Sequence, residues 1–250
     1  MRQEAQRRPG GASLSARGIG KRFGALVVLE NLNFSMAGGE AVGIVGPNGA
    51  GKTTLLSVLA GAFPPSQGTI TFDGADVTNR TAAERCHSGL VRTHQIPKPF
   101  SGMTTFENVF VAASHGNATS RNEAYDRVVD SLSLCGMLGV SNRPADTLGL
   151  LDRKRLELAR ALATQPRLLL LDEIGGGLTD GEASELVETI LELRRRGIGI
   201  VWIEHIVHIL LQVAERLICM DAGRIIADGE PRTVMSNTEV VKAYLGGTPA

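Results

Sequence analysis

Gly46-Pro47-Asn48-Gly49-Ala50-Gly51-Lys52-Thr53 constrains this chain more than any other stretch, because it fits the spacing G-x-x-x-x-G-K-[ST]. A run without polar alternation, Ala41 to Val45, precedes it, and Thr53 to Ala60 carries Leu55, Leu56, Val58 and Leu59 at helical spacing. Strand, glycine-rich loop and helix together are the context that gives such a match meaning. The glycines let the backbone curl until successive N–H groups point inward at phosphate oxygens, with the N-terminus of the helix beyond them. Lys52 then meets the β and γ phosphates, the Thr53 hydroxyl is placed to ligate Mg²⁺, and Thr54 continues the same turn. These residues read as a site for a nucleoside triphosphate.

A second candidate lies at Leu168-Leu169-Leu170-Leu171-Asp172-Glu173, an apolar run suited to a strand covered on both faces and ending in two adjacent carboxylates. Open α/β sheets bind ligands at the carboxyl ends of their strands. Asp172 can hold Mg²⁺ through its water shell, and Glu173 can polarise the water that attacks a γ-phosphate. His205 follows another buried run, Ile198 to Ile203, and should surface at the same edge. His205 and His208 lack the carboxylate or thiolate partner that a metal pair needs, so His208 reads as ordinary.

Around these sites the pattern alternates strands with helices, which implies a mostly parallel sheet. Leu32, Phe34 and Met36, and the stretch Thr69 to Phe72, look like edge and hairpin strands. From about Thr81 to Gln165 the chain reads as helices, Arg121 to Leu134 among them, and is expected to form an inserted helical subdomain at about 86–165. The core then comprises about 13–85 and 166–250. Later elements are a helix from Gly181 to Arg196, one from about Ile206 to Ala214, and a hairpin of Leu217 to Met220 with Arg224 to Ala227.

Composition narrows the classes. With 26 basic and 26 acidic side chains in 250 residues the formal net charge is zero, which argues against a protein that coats nucleic acid. No apolar stretch approaches the roughly 18 residues that span a bilayer. The basic segment Met1 to Ala12 reads as a loose tail, with no apolar stretch after it to make a signal peptide. Cys86, Cys135 and Cys219 are widely spaced and suit buried apolar positions in a reducing compartment.

From about Leu14 to Gly246 these residues resemble the ATP-binding subunit of ABC transporters. The resemblance implies an α/β fold: a P-loop NTPase core with a mostly parallel sheet, an antiparallel β subdomain and the inserted helical subdomain. It implies ATP and Mg²⁺ as ligands. Phe23, in Arg22-Phe23-Gly24, resembles the aromatic residue that stacks on adenine, and Gln95 resembles the glutamine that touches Mg²⁺ and senses the γ-phosphate. Asp172 resembles the metal aspartate, Glu173 the catalytic base and His205 the switch histidine. Met103-Thr104, Glu107-Asn108-Val109 and the ending Ala243-Tyr244-Leu245-Gly246 are similar to importer ATPases for branched-chain amino acids and related solutes such as amides and urea. A cytoplasmic position on the inner face of the membrane follows from the resemblance. So do integral membrane permease subunits as partners, a second ATPase subunit, and a solute-binding protein acting indirectly.

The chain departs from that family at its signature, Leu-Ser-Gly-Gly-Gln, which grips the γ-phosphate held by the opposite subunit. The aligned residues are Leu148-Gly149-Leu150-Leu151-Asp152. Asp152 brings a carboxylate toward a polyanion, and like charges about 4 Å apart repel by roughly 4 kcal/mol at an effective dielectric near about 20. As plain structure, Asp152 suits a cap or first-turn acid for a helix from Arg153 to Ala163. Ile174 stands where the family has proline, and Gly175-Gly176-Gly177-Leu178-Thr179 is expected to make a loose loop. These departures favour a heterodimer in which a signature-intact partner completes this chain's phosphate site. The alternatives are a nucleotide-binding regulatory module with negligible hydrolysis and a soluble ABC protein outside transport.

Overall fold

Ten strands and nine α-helices follow one another over residues 11–117 and 120–245, which the computed structural model describes. The strands are β1 (Leu14–Phe23), β2 (Leu26–Met36), β3 (Ala41–Val45), β4 (Gln67–Phe72), β5 (Ala75–Asp76), β6 (Leu90–Arg92), β7 (Leu168–Asp172), β8 (Gly199–Ile203), β9 (Arg216–Asp221) and β10 (Arg224–Gly229). The helices are α1 (Lys52–Ala60), α2 (Ala82–His87), α3 (Thr105–His115), α4 (Arg121–Leu134), α5 (Leu150–Ala163), α6 (Asp180–Arg195), α7 (Val207–Val213), α8 (Pro231–Met235) and α9 (Thr238–Leu245).

A six-stranded sheet in the order β10-β9-β3-β8-β7-β6 forms the centre, parallel throughout except for the β9–β10 hairpin. Its inner strands β3, β7 and β8 are buried at every residue, which is why they read as unbroken apolar runs. Successive side chains enter opposite layers. Leu169, Leu171, Ile200 and Trp202 face the core shared with α3 to α7, while Leu168, Leu170, Val201 and Ile203 face α1 and the second sheet. That second sheet is antiparallel, in the order β2-β1-β4-β5. Burying each such Leu or Ile contributes roughly 1.5–3 kcal/mol, so the two layers clamp the strand ends in place.

Helix entry is set by side chains. Thr81, Thr104 and Thr179 each close a capping box with the glutamate three residues on. The helices α1 and α5 differ, each starting at a glycine (Gly51, Gly149) with no side-chain cap.

Several expectations need correction. Leu90–Arg92 lies inside the stretch read as helical but forms an edge strand parallel to β7, because Leu90 and Val91 are buried against the sheet and three residues are too few to show a period. The helix expected from Arg153 starts at Leu150 with Gly149 as its cap, so Asp152 is a first-turn acid and not the cap. Residues 1–10 of the expected tail, and Gly246 of the C-terminal motif, lie outside the described residues. Ala12, at the end of that tail, is fully buried, and Gly11 packs on the backbone of Gly38 and Gly39, so these two are not loose. Among the described residues no helix is long and apolar enough to cross a membrane.

Candidate active site

Parallel strands in register bring their carboxyl ends to one edge, where β3 leads into Gly46, β7 ends at Asp172 before Glu173, and β8 leads into Glu204 and His205. β6 delivers Thr93 to the same edge, its N–H bonded to the Leu170 carbonyl at 3.0 Å, and Gln95 follows. That loop is tied to α5 by the His94 N–H on Glu157 at 3.2 Å.

The loop from Gly46 to Thr53 turns at two glycines that permit it. Gly46 has φ +144°, and a β-carbon there would come 2.1 Å from the Met220 carbonyl oxygen, while Gly51 caps α1 at φ +94°. The N–H groups of Lys52, Thr53 and Thr54 lie in the first turn of α1, where no helix carbonyl reaches them. With no side chain capping that turn, they are open to an anion. Pro47 accepts the Ala50 N–H at 3.3 Å, with Asn48 and Gly49 exposed at the tip between them. The buried Lys52 ammonium donates to the carbonyls of Gly46 (2.6 Å) and Pro47 (2.9 Å). Burial lowers its pKa, opposed by the pull of Glu173, Cys219 and Asp172.

Asp172 is fully buried and doubly engaged. Oδ1 faces the Thr53 hydroxyl at 3.5 Å, and Oδ2 accepts from Arg92 Nη2 at 2.7 Å. Arg92 also donates from Nη1 to Ser57 Oγ at 2.7 Å. The adjacent Glu173 sits in the left-handed region at φ 49°, its N–H held by the Ile203 carbonyl at 2.9 Å. Its carboxylate is gripped from both sides, Oε1 by His205 Nε2 at 2.7 Å and Oε2 by Gln95 Nε2. Gln95, Glu173 and His205, dispersed in sequence, therefore meet.

Sequence reasoning missed three charged neighbours. Lys154, buried on α5, donates to the Glu173 carbonyl at 3.3 Å, and burial lowers its pKa against the pull of Glu204 and Glu173. Glu204, 1% exposed, accepts the N–H groups of Gly175 (2.9 Å) and His205 (2.9 Å). The only signal for it was its place between a buried strand and His205. Gly175 is correspondingly not slack, since a β-carbon there would lie 2.8 Å from Glu204 Oε2. Arg92 had no signal, because its partner lies 80 residues away.

Phe23 stands apart from this group, at the exposed end of β1 with its ring edge-on to Phe63 at 5.3 Å. Lys21 Nζ lies over both rings, 5.0 and 4.7 Å from their centroids. His208 is exposed on α7, and among the described residues no group of three His, Cys, Asp or Glu could hold a metal. A hydroxyl and a carboxylate oxygen converging beside an open helix N-terminus fit Mg²⁺. It takes hard oxygen ligands and is usually held by few protein groups together with substrate phosphates. Thr53 and Asp172 are the residues that would hold it.

Known proteins resemble this chain in both sequence and fold. The family model described as ABC transporter matches residues 29–175, and that of the branched-chain amino acid ATP-binding cassette transporter matches residues 224–250. The high-affinity branched-chain amino acid transport ATP-binding protein LivG of Escherichia coli (strain K12) is 36% identical over 248 residues, 93% of this chain and 97% of LivG. BraF of Pseudomonas aeruginosa, described in the same words, is 33% identical over the same shares. Among solved structures, a nucleotide-free ATP-binding cassette from an ABC transporter superposes with TM-score 0.87 at 30% identity, covering 94% of this chain and 100% of the other. The ADP conformation of the cassette MJ1267 gives 0.86 at 32%, covering 94% and 99%. Alike in sequence and in backbone along nearly its whole length, the chain belongs to the ABC transporter family, within which it is an ATP-binding cassette, the family's ATPase unit.

Proposed function

We propose that this chain hydrolyses ATP to drive an importer of branched-chain amino acids or related small polar solutes. The observation that carries the proposal is the Glu173 carboxylate, held between Gln95 and His205 at the strand edge that also bears the phosphate loop. Lys52 and the first turn of α1 bind phosphate, and Thr53 and Asp172 hold the metal. Mg²⁺, when bound, neutralises charge on the phosphates. Glu173 orients a water molecule and takes up its proton, while Gln95 and His205 fix the carboxylate and respond to the γ-phosphate. Phe23 stacks on the adenine ring. The helical subdomain comprises the helices after β6, from α3 to α5, and β6 itself belongs to the core sheet. The names of the relatives support the solute class, and with it a peripheral place on the cytoplasmic face beside permease subunits and, indirectly, a solute-binding protein.

The partner is a second ATPase subunit with an intact signature. Supporting this, Asp152 puts a carboxylate into the first turn of α5 at the place of the signature, with Arg155 3.8 Å away as a partial counter-charge. The test is the steady-state ATPase rate of the chain alone over a range of concentrations, with Glu173→Gln as control. Negligible turnover that a signature-bearing subunit restores is the expected result. Glu173-dependent turnover that rises faster than linearly with concentration overturns the heterodimer.

A further inference from the structure

The C-terminal helix α9 reaches the phosphate loop. Val240, fully buried in the core, anchors the helix, and Asn237 Oδ1 accepts the Glu239 N–H at its start at 2.8 Å. At its far end the Tyr244 hydroxyl accepts the N–H of Gly46 at 2.8 Å, across 198 residues of sequence. Gly46 is buried, so its N–H needs a partner, and here a side chain from outside the loop supplies it. The same residue is pinned on its other side by the Met220 carbonyl, which leaves no room for a β-carbon. Its own carbonyl accepts Lys52 Nζ at 2.6 Å. Tyr244 thus fixes the first residue of the loop, and that residue in turn holds the phosphate-binding ammonium.

We propose that Tyr244 is a positioning residue of the phosphate loop, its hydroxyl holding Gly46 so that the C-terminal helix sets the affinity for nucleotide. This rests on reading the loop as the nucleotide site. The hydroxyl restrains the loop before any ligand arrives, so part of the ordering cost of binding is already met. Without it the Gly46 N–H is unpaired and the loop samples arrangements that do not bind phosphate.

The test compares the full-length chain with Tyr244→Phe, which removes one oxygen from a side chain that is 44% exposed and spares the core. Two readouts are taken: amide hydrogen exchange of the peptide containing Gly46 without nucleotide, and the Kd for a fluorescent ATP analogue. Faster exchange at Gly46 and a Kd weakened about fivefold, the worth of one ordinary hydrogen bond, are expected with the melting temperature nearly unchanged. Unchanged exchange and unchanged Kd overturn the proposal, as does a weaker Kd that comes with global loosening across all peptides. If the parent chain binds no ATP analogue, the reading of the loop fails with it. The exchange at Gly46 separates that failure from a failure of the Tyr244 contact.

Discussion

Arg92 and Asp172 form a buried ion pair, Nη2 to Oδ2 at 2.7 Å, that joins the edge strand β6 to the strand carrying the acidic pair. The carboxylate is fully buried, while the arginine side chain is 15% exposed. Arg92→Met leaves that carboxylate uncompensated, and we predict a loss of about 3–5 kcal/mol in urea unfolding. Arg92→Lys, which keeps the charge but not the fork to Ser57, should lose less. Equal losses for the two variants would show that packing, and not the charge, is what Arg92 supplies.

Lys154 holds the main chain of Glu173 from the helix that bears the altered signature. Replacing it with methionine frees the Glu173 carbonyl without touching the carboxylate. Turnover with the signature-bearing subunit present should fall about tenfold, the scale of one charge-assisted hydrogen bond, with nucleotide affinity unchanged. Separate titrations of binding and of rate decide it, and a shift in Kd with unchanged kcat would count against this role.

Gly175 meets Glu204 so closely that a β-carbon there would have to displace its carboxylate. Gly175→Ala forces the buried Glu204 carboxylate aside, with an expected cost of about 1–3 kcal/mol. Gly176→Ala, at the exposed next residue of the loop, serves as the comparison. If both variants melt together with the parent, the close approach has no energetic weight.

Glu84, Glu107 and Glu182 each accept the backbone N–H and hydroxyl of their own cap threonine, and those bonds hold their carboxyls below the ordinary value of 4.5. A carboxyl held low in the folded chain lends stability that is whole above its unfolded value. That stability fades as pH falls through the lowered folded value. The triple variant Glu84→Gln, Glu107→Gln, Glu182→Gln should therefore flatten the loss of stability below about pH 4.5. Urea midpoints across that range measure it, and an unchanged slope would place the acid sensitivity elsewhere.

Local pattern made much of this molecule legible. Arg121 to Leu134 forms the helix its spacing implies, and the apolar runs at Ala41 and Leu168 become buried parallel strands because both faces of the central sheet are covered. The loop at Gly46 and the acids at residues 172 and 173 announced themselves through position after a strand. What stayed hidden depends on partners far away in sequence. Arg92 looks like any loop arginine until Asp172 is beside it, and nothing near Tyr244 hints at Gly46. β6 escaped notice because its three residues are a strand only by virtue of pairing with β7.

The left-handed backbone at Glu173 sets the chemistry of this position against the durability of the chain. A residue with a β-carbon pays roughly 1–2 kcal/mol in that conformation, where glycine sits without strain. A Glu173→Gly chain should therefore withstand more heat while losing the acid that Gln95 and His205 grip, a trade that differential scanning calorimetry can weigh. Breeding this protein for thermal resistance alone would erode the residue proposed here as the catalytic base, so any such screen must score turnover as well.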